Sequence, residues 1–124
     1  MTESEEKTRV TTIVQKPIAG EDGPKGGDCL VVIYTKEPTL LGKRFVLDTS
    51  PMRVGRGAEN HIVLDGDSVS RRHAYLEQRS AVWFAVDDGS TNGTYVNSEK
   101  IGQALRLGKG DVLQIGSTVF EVAK

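Results

Sequence analysis

The residues best equipped for chemistry lie in four short stretches: Val54-Gly55-Arg56-Gly57, Ser68-Val69-Ser70-Arg71-Arg72-His73, Gly89-Ser90-Thr91-Asn92-Gly93-Thr94 and Tyr95-Val96-Asn97. Two chemistries compete for them. Ser70, three residues before His73, could be a nucleophile with its base, which would make the chain an esterase. The same groups could instead be donors gathered around an anion. Arginine's planar fork bonds phosphate oxygens bidentately and stays charged at every relevant pH. The hydroxyls of Ser70 and Thr91 add donors without adding charge, and Asn92 carries both donor and acceptor, as a clamp on a peptide backbone needs. In an extended strand a spacing of three sends Ser70 and His73 to opposite faces, out of the reach that a nucleophile and base require. The set therefore reads as a holder for a phosphate attached to a peptide, and no residue is assigned a catalytic role.

Rival site motifs fail on spacing. Gly55-x-Gly57 starts like a dinucleotide fingerprint, but Asn60 stands where the third glycine belongs and no helical pattern follows. Gly42-Lys43 lacks the preceding glycine of a phosphate-binding loop. Two histidines and one cysteine, far apart in the chain, make no metal-ligand cluster, so neither metal nor cofactor is expected.

The elements that must position these stretches read as strands. Short β-rich runs separated by turn residues follow one another from Cys29 to the end: KRFVLD, MRVG, HIVL, HAYLEQ, AVWFAVD, GTYVN, KIG, ALRLG, DVLQIG and TVFEVAK. No window has the period of an amphipathic helix. About 11 short strands at this spacing predict an all-β sandwich or barrel. CLVVIY is a continuous apolar run, suited to a strand buried on both faces, and VFEVAK is expected to pair with it. Trp83, Phe45 and Phe120 are core candidates, Cys29 a small buried hydrophobe, and His61 a rim residue.

The chain divides in two by composition. Residues 1–27 are polar and end in AGEDGPKGGD, a linker-like arm, whereas residues 28–124 carry the strand pattern. With 124 residues there is room for one domain, and a formal net charge of -1 offers no global field for nucleic acid or an anionic membrane. Any anion site must be local. A single cysteine excludes an internal disulfide framework and fits a reducing cytoplasm. No apolar run approaches the ~20 residues that span a bilayer.

The order of the motifs resembles the forkhead-associated (FHA) domain. The resemblance covers about residues 29–124 and rests on Gly55-Arg56, Asn60-His61-Ile62-Val63-Leu64, Ser70-Arg71-Arg72-His73, Asp87, Gly89 through Thr94, Val96-Asn97, Leu107 through Asp111 and Ile115-Gly116. It implies a β-sandwich whose loops bind phosphothreonine peptides. Arg56, Ser70 and Arg71 would contact the phosphate; Thr91 would help bind it or form the niche for the threonine methyl; Asn92 would bond the ligand's main chain. Gly55, His73, Gly93 and Asn97 would be architectural. Asp88 and Ser98 depart from the family, which commonly has an apolar residue and a glycine there.

The resemblance also gives the arm a use. Bacterial relatives often carry a short N-terminal arm with paired threonines that a Ser/Thr protein kinase phosphorylates, and Thr11-Thr12 within Val10-Thr11-Thr12-Ile13-Val14 is similar. Family pockets commonly read the third residue after phosphothreonine, here Val14 for Thr11 and Gln15 for Thr12. Arm and domain together resemble the regulatory module of bacterial FHA–diguanylate cyclase proteins in cyclic di-GMP signalling. The expected partner is a phosphothreonine peptide, from the arm or from another protein. A scaffold that binds unphosphorylated partners by a sheet face is the alternative.

Overall fold

The structure, a computed structural model, describes residues 28–123. The expectations placed on residues 1–27, Thr11 and Thr12 among them, lie outside the described residues. Eleven strands occur among the described residues: β1 (Cys29–Tyr34), β2 (Arg44–Val46), β3 (Met52–Gly55), β4 (Ile62–Val63), β5 (Ala74–Arg79), β6 (Val82–Asp87), β7 (Thr94–Val96), β8 (Glu99–Lys100), β9 (Leu105–Leu107), β10 (Val112–Ile115) and β11 (Thr118–Ala123). One 3-10 turn, Pro38–Leu40, interrupts the β1–β2 connection. The strands form a five-stranded sheet in the order β9-β6-β5-β3-β4 and a six-stranded sheet in the order β2-β1-β11-β10-β7-β8. This is the all-β sandwich that the family resemblance implied, and not the barrel that strand spacing alone also allowed.

Side-chain alternation explains the packing of the two sheets. Along β11 the residues Thr118, Phe120 and Val122 are buried while Glu121 between them is exposed, the period of two that a half-buried strand imposes. Phe120 is completely buried and meets Phe45 of β2 edge-on, with ring centroids 6.2 Å apart. Across the core from this sheet stand Val54, Leu76, Trp83 and Ala85 of the other. Burial of each large side chain here contributes roughly 1.5–3 kcal/mol.

The first and last strands do pair. β11 runs antiparallel to β1, with Leu30 opposite Val122 and Val32 opposite Phe120. The expectation that CLVVIY is buried on both faces needs correction. Leu30 and Val32 are inside, but Ile33 and Tyr34 are 46% and 56% exposed. The six-stranded sheet has only one covered face, so Ile33 points outward by the ordinary alternation, and the register shift between Val119 and Phe120 turns Tyr34 outward as well. Cys29 is buried, with an Arg44 guanidinium nitrogen 3.5 Å from its Sγ.

The register fixes which loops share an end. β4 runs parallel to β3, with Gly55 opposite Val63, so the segments leaving both strands emerge together. Ala74 at the start of β5 lies opposite Asp87 at the end of β6, and Thr94 at the start of β7 lies opposite Ile115. The connections 56–61, 64–73, 88–93 and 116–117 therefore gather at one end of the sandwich. Cys29 and Ala123 pair at the other.

Two hairpins carry left-handed residues without glycine: Ser80 and Ala81 (φ 50° and 67°) between β5 and β6, and Asn97 and Ser98 (φ 51° and 72°) between β7 and β8. Tight hairpins with positive φ at both positions favour Asn-Gly, and alanine there is strained by Cβ. Replacing Ser80 by Asn together with Ala81→Gly should stabilise the domain by about 1 kcal/mol, seen as a rise in Tm of about 4–8 °C. An unchanged or lower Tm by calorimetry would contradict it.

Candidate functional site

The tip of the β3 turn crosses the segment before β5 at backbone contact. The Arg56 amide donates to the Ser70 carbonyl at 2.9 Å and the Gly57 amide to the Arg71 carbonyl at 3.0 Å. Such closeness leaves no room for a side chain at position 55: a Cβ there would sit 2.9 Å from both the Arg71 carbonyl carbon and Asn60 Nδ2. Asn60, nearly buried, donates from Nδ2 to the Gly57 carbonyl at 2.7 Å and to the Arg71 carbonyl at 2.8 Å. Arg56 adds a side-chain bond, Nε to the Val69 carbonyl at 3.0 Å. His61 stands exposed beside this turn, its Nδ1 accepting the Arg53 amide at 2.9 Å.

His73 links this pair of loops to the third. Its ring is completely buried. Nδ1 accepts the Ser70 amide at 3.1 Å, and Nε2 lies 2.9 Å from the Gly93 carbonyl. A carbonyl can only accept, so the proton sits on Nε2 and Nδ1 is the acceptor. Ser70 faces the other way: its hydroxyl accepts the Thr91 amide at 3.0 Å. Residues 70–73 do not form the extended strand expected from the sequence. Residues 70–73 form an irregular turn before β5 that brings the Ser70 backbone to the ring. Both ring nitrogens are engaged by backbone groups, and neither is paired with the Ser70 hydroxyl.

The 88–93 loop is pinned by Asp87. Its carboxylate accepts the Ser90 amide at 3.1 Å, the Thr94 hydroxyl at 2.7 Å and the Ser90 hydroxyl, while the Ser90 hydroxyl oxygen accepts the Gly93 amide at 2.9 Å. Burial alone would raise the Asp87 carboxyl; the bonds from Ser90 and Thr94, together with the nearby His73, outweigh it and hold the group below its ordinary range. Gly93 adopts φ 92°, which a residue with Cβ rarely does. Asn92, exposed at the tip, donates from Nδ2 to the Ser68 carbonyl at 3.1 Å.

Arg56, Ser70, Arg71, Thr91 and Asn92 are thus brought together on three bonded loops, with Gly55, His73 and Gly93 beneath them. Arg56, Arg71, Arg72, Thr91 and Asn92 are exposed, whereas Gly55, His73 and Gly93 are buried. Arg71 Nε lies 3.5 Å from Glu59 and Arg72 Nε lies 3.8 Å from Asp88. Asn97 is not at this cluster. It sits at the other end of β7, where its Oδ1 accepts the Val112 amide at 3.0 Å and its Nδ2 reaches Asp111 at 3.2 Å.

In the sequence Asn60, Asp87, Ser90 and Thr94 stood as motif members without a role, and Glu59 had no place at all. The one usable signal was Asp87-x-x-Ser90, the spacing at which an aspartate accepts a following amide and hydroxyl in a turn. Chemically the exposed set offers cationic forks, hydroxyls and an amide on a stiff base. Among the described residues no group of three His, Cys, Asp or Glu side chains could hold a metal ion, and no helix is long and apolar enough to cross a membrane.

Residues 52–116 match the FHA domain family. FhaB, an FHA domain-containing protein of Mycobacterium tuberculosis, is 40% identical over 90 residues, which is 73% of this chain and 58% of that protein. The glycogen accumulation regulator GarA of Mycolicibacterium smegmatis is 40% identical over 99 residues, covering 80% of this chain and 61% of its own length. The chain thus spans about three-fifths of these relatives. Among solved structures, Mycobacterium tuberculosis EmbR in complex with a low-affinity phosphopeptide superposes with a TM-score of 0.70 at 31% identity, over 77% of this chain and 24% of EmbR. The motif order, the two-sheet topology and these matches agree, and the chain belongs to the FHA domain family.

Proposed function

We propose that the loop end binds phosphothreonine peptides and performs no chemistry on them. The observation that carries this reading is the clustering of exposed Arg56, Arg71, Thr91 and Asn92 around half-buried Ser70, on loops held together by hydrogen bonds. Fixed donors need little reorganisation when the ligand arrives, and charge-assisted bonds to a dianionic ester are the strong kind. EmbR, whose structure holds a phosphopeptide, supports the same ligand class. Arg56 and Arg71 would take phosphate oxygens with the Ser70 hydroxyl, Thr91 would meet phosphate or methyl, and Asn92 would exchange its Ser68 bond for the ligand backbone.

The arm is the ligand we favour, once a Ser/Thr kinase modifies Thr11 or Thr12. Asp28 precedes the Cys29 end of β1, so the arm starts at the end of the sandwich away from the loops. A strand of this length spans roughly 20 Å. Seventeen Gly-rich residues from Thr11 reach ~21–25 Å, enough to cross it. Tethering gives an effective concentration near ~1 mM. The wider roles, input to a diguanylate cyclase and a cytoplasmic location, rest on sequence resemblance and on the single cysteine.

Three outcomes test the reading. Calorimetry should give binding of phosphothreonine peptides but not of their unmodified forms, and Arg56→Ala should weaken it at least roughly a hundredfold, two charge-assisted bonds being lost. Thermal unfolding of that variant should stay cooperative. If the variant binds as well as wild type, the anion assignment is wrong. With the free phosphorylated arm binding at ~1 μM, phosphorylating Thr11 in the whole chain should weaken binding of a competing phosphopeptide by about a thousandfold; an unchanged affinity would exclude docking of the arm.

The third outcome concerns pH. Asp87 is depressed when folded, so its contribution to stability is complete above the ordinary aspartate value near 3.8 and is lost as pH falls through the lower folded value. The ligand phosphate has a second pKa of ~6 and loses charge between pH 7 and 5. Affinity should fall as pH drops across that window. Asp87→Asn should be less stable and bind more weakly at pH 7, with the same slope. A flat profile would count against recognition of a dianion.

A further inference from the structure

Glu59 occupies a position that neither the fold nor the phosphate contacts require. Its Oε2 lies 3.5 Å from Arg71 Nε, and both side chains are open to solvent, 48% and 71% exposed. The carboxylate is also folded back over the turn that carries Arg56: a Cβ on Gly57 would sit 2.7 Å from Glu59 Oε2. The absence of a side chain at Gly57 is what admits it. A negative charge thus stands between the two loops that supply Arg56 and Arg71.

That placement has a consequence for any phosphate arriving there. An exposed ion pair is weak, so Glu59 can be displaced from Arg71 without much resistance. Displacement leaves a carboxylate next to a dianion, and like charges at ion-pair separation oppose binding. The opposition vanishes if the ligand brings its own cation. Phosphate then takes Arg71 while a ligand lysine or arginine takes Glu59, and no charge is left unpaired.

We infer that Glu59 sorts ligands by this exchange of ion pairs, favouring phosphothreonine peptides with a lysine or arginine close to the phosphate. The inference rests on the phosphothreonine reading above and names a residue that sets specificity within it. Sequences with the required chemistry exist in this chain: Lys7 and Arg9 flank Thr8, and Arg9 lies two residues before Thr11.

The test uses the full chain and its Glu59→Gln and Glu59→Lys variants. Each is offered a peptide library with phosphothreonine fixed and the four positions on either side randomised, alongside the same library unphosphorylated. Wild type should enrich lysine or arginine at one or more flanking positions. Glu59→Gln should lose that enrichment, and Glu59→Lys should replace it with aspartate or glutamate. Against a phosphothreonine peptide flanked only by alanine, Glu59→Gln should bind roughly two- to fivefold more tightly than wild type, the competing carboxylate being gone. Identical residue preferences in all three proteins, or no gain for the alanine peptide, would overturn the inference while leaving the binding site intact. Failure of wild type to retain the phosphorylated library over the plain one would instead bring down the phosphothreonine reading and this inference with it.

Discussion

The buried imidazole of His73 is the constraint on which the loop end depends. One nitrogen holds the backbone of the 64–73 loop through Ser70, and the other holds the carbonyl of Gly93 in the 88–93 loop. The first loop leads into β5 of the five-stranded sheet, and the second crosses from β6 of that sheet to β7 of the other, with Gly93 next to β7. A sandwich holds its sheets together by apolar contact, which is not directional and sets no position to a fraction of an ångström. The imidazole adds two directional bonds in a dry place, where leaving either partner unpaired would cost about 1–3 kcal/mol. Relative placement of Ser70 and Thr91 follows from that bolt, and the bond between the Ser70 hydroxyl and the Thr91 amide then forms without further ordering.

Buried and exposed residues at this end divide the labour. Gly55 and Asn60 fuse the Arg56 turn to the Arg71 segment through backbone carbonyls, and Asp87 gathers Ser90 and Thr94 under the third loop. None of these groups has donors left over for a ligand in its present geometry. The exposed residues Arg71 and Thr91 have little to fix their own tips. Stiffness comes from one set, and the other is the set we propose for recognition. Substitutions should accordingly separate into those that soften the loops and those that remove a contact from otherwise intact ones.

How much of this was readable from the chain depends on sequence range. Turn residues and alternating strands disclosed an all-β sandwich or barrel because those patterns are local; the pairing of the first and last strands is a contact between the two ends of the domain that no local pattern encodes, and the expectation of it is met in the structure. Ordered motifs put Arg56, Ser70, Arg71, Thr91 and Asn92 on loops, and the structure gathers them. The hydrogen bond of Asn60 to the Arg71 carbonyl and the ion pair of Glu59 with Arg71 were hidden, since each depends on a crossing that hydrophobic period does not encode, whereas the Asp87-x-x-Ser90 bracket is local and left a signal in the spacing. The extended reading of residues 70–73 failed for a related reason. Tertiary bonds from His73 and Arg56 override the strand pattern there. The run CLVVIY misled because an apolar run states what can be buried, not what the neighbouring elements cover.

Charge at the loop end is balanced locally, and this bears on how recognition can work. Arg71 has Glu59 and Arg72 has Asp88 within ion-pair distance, in a chain whose formal net charge is -1. Screening in physiological salt confines each exposed charge to about 8 Å. An anion therefore meets no long-range attraction and gains only on contact, when its oxygens replace carboxylates already in place. A single carboxylate on a ligand offers Arg71 nothing it lacks. A phosphate differs in having three oxygens with which to engage Arg56, Ser70 and Arg71 at once, and only a rigid arrangement of those donors turns that difference into selectivity. The same bonds that hold the loops still are thus what would let a neutralised site distinguish phosphorylated threonine from an acidic side chain.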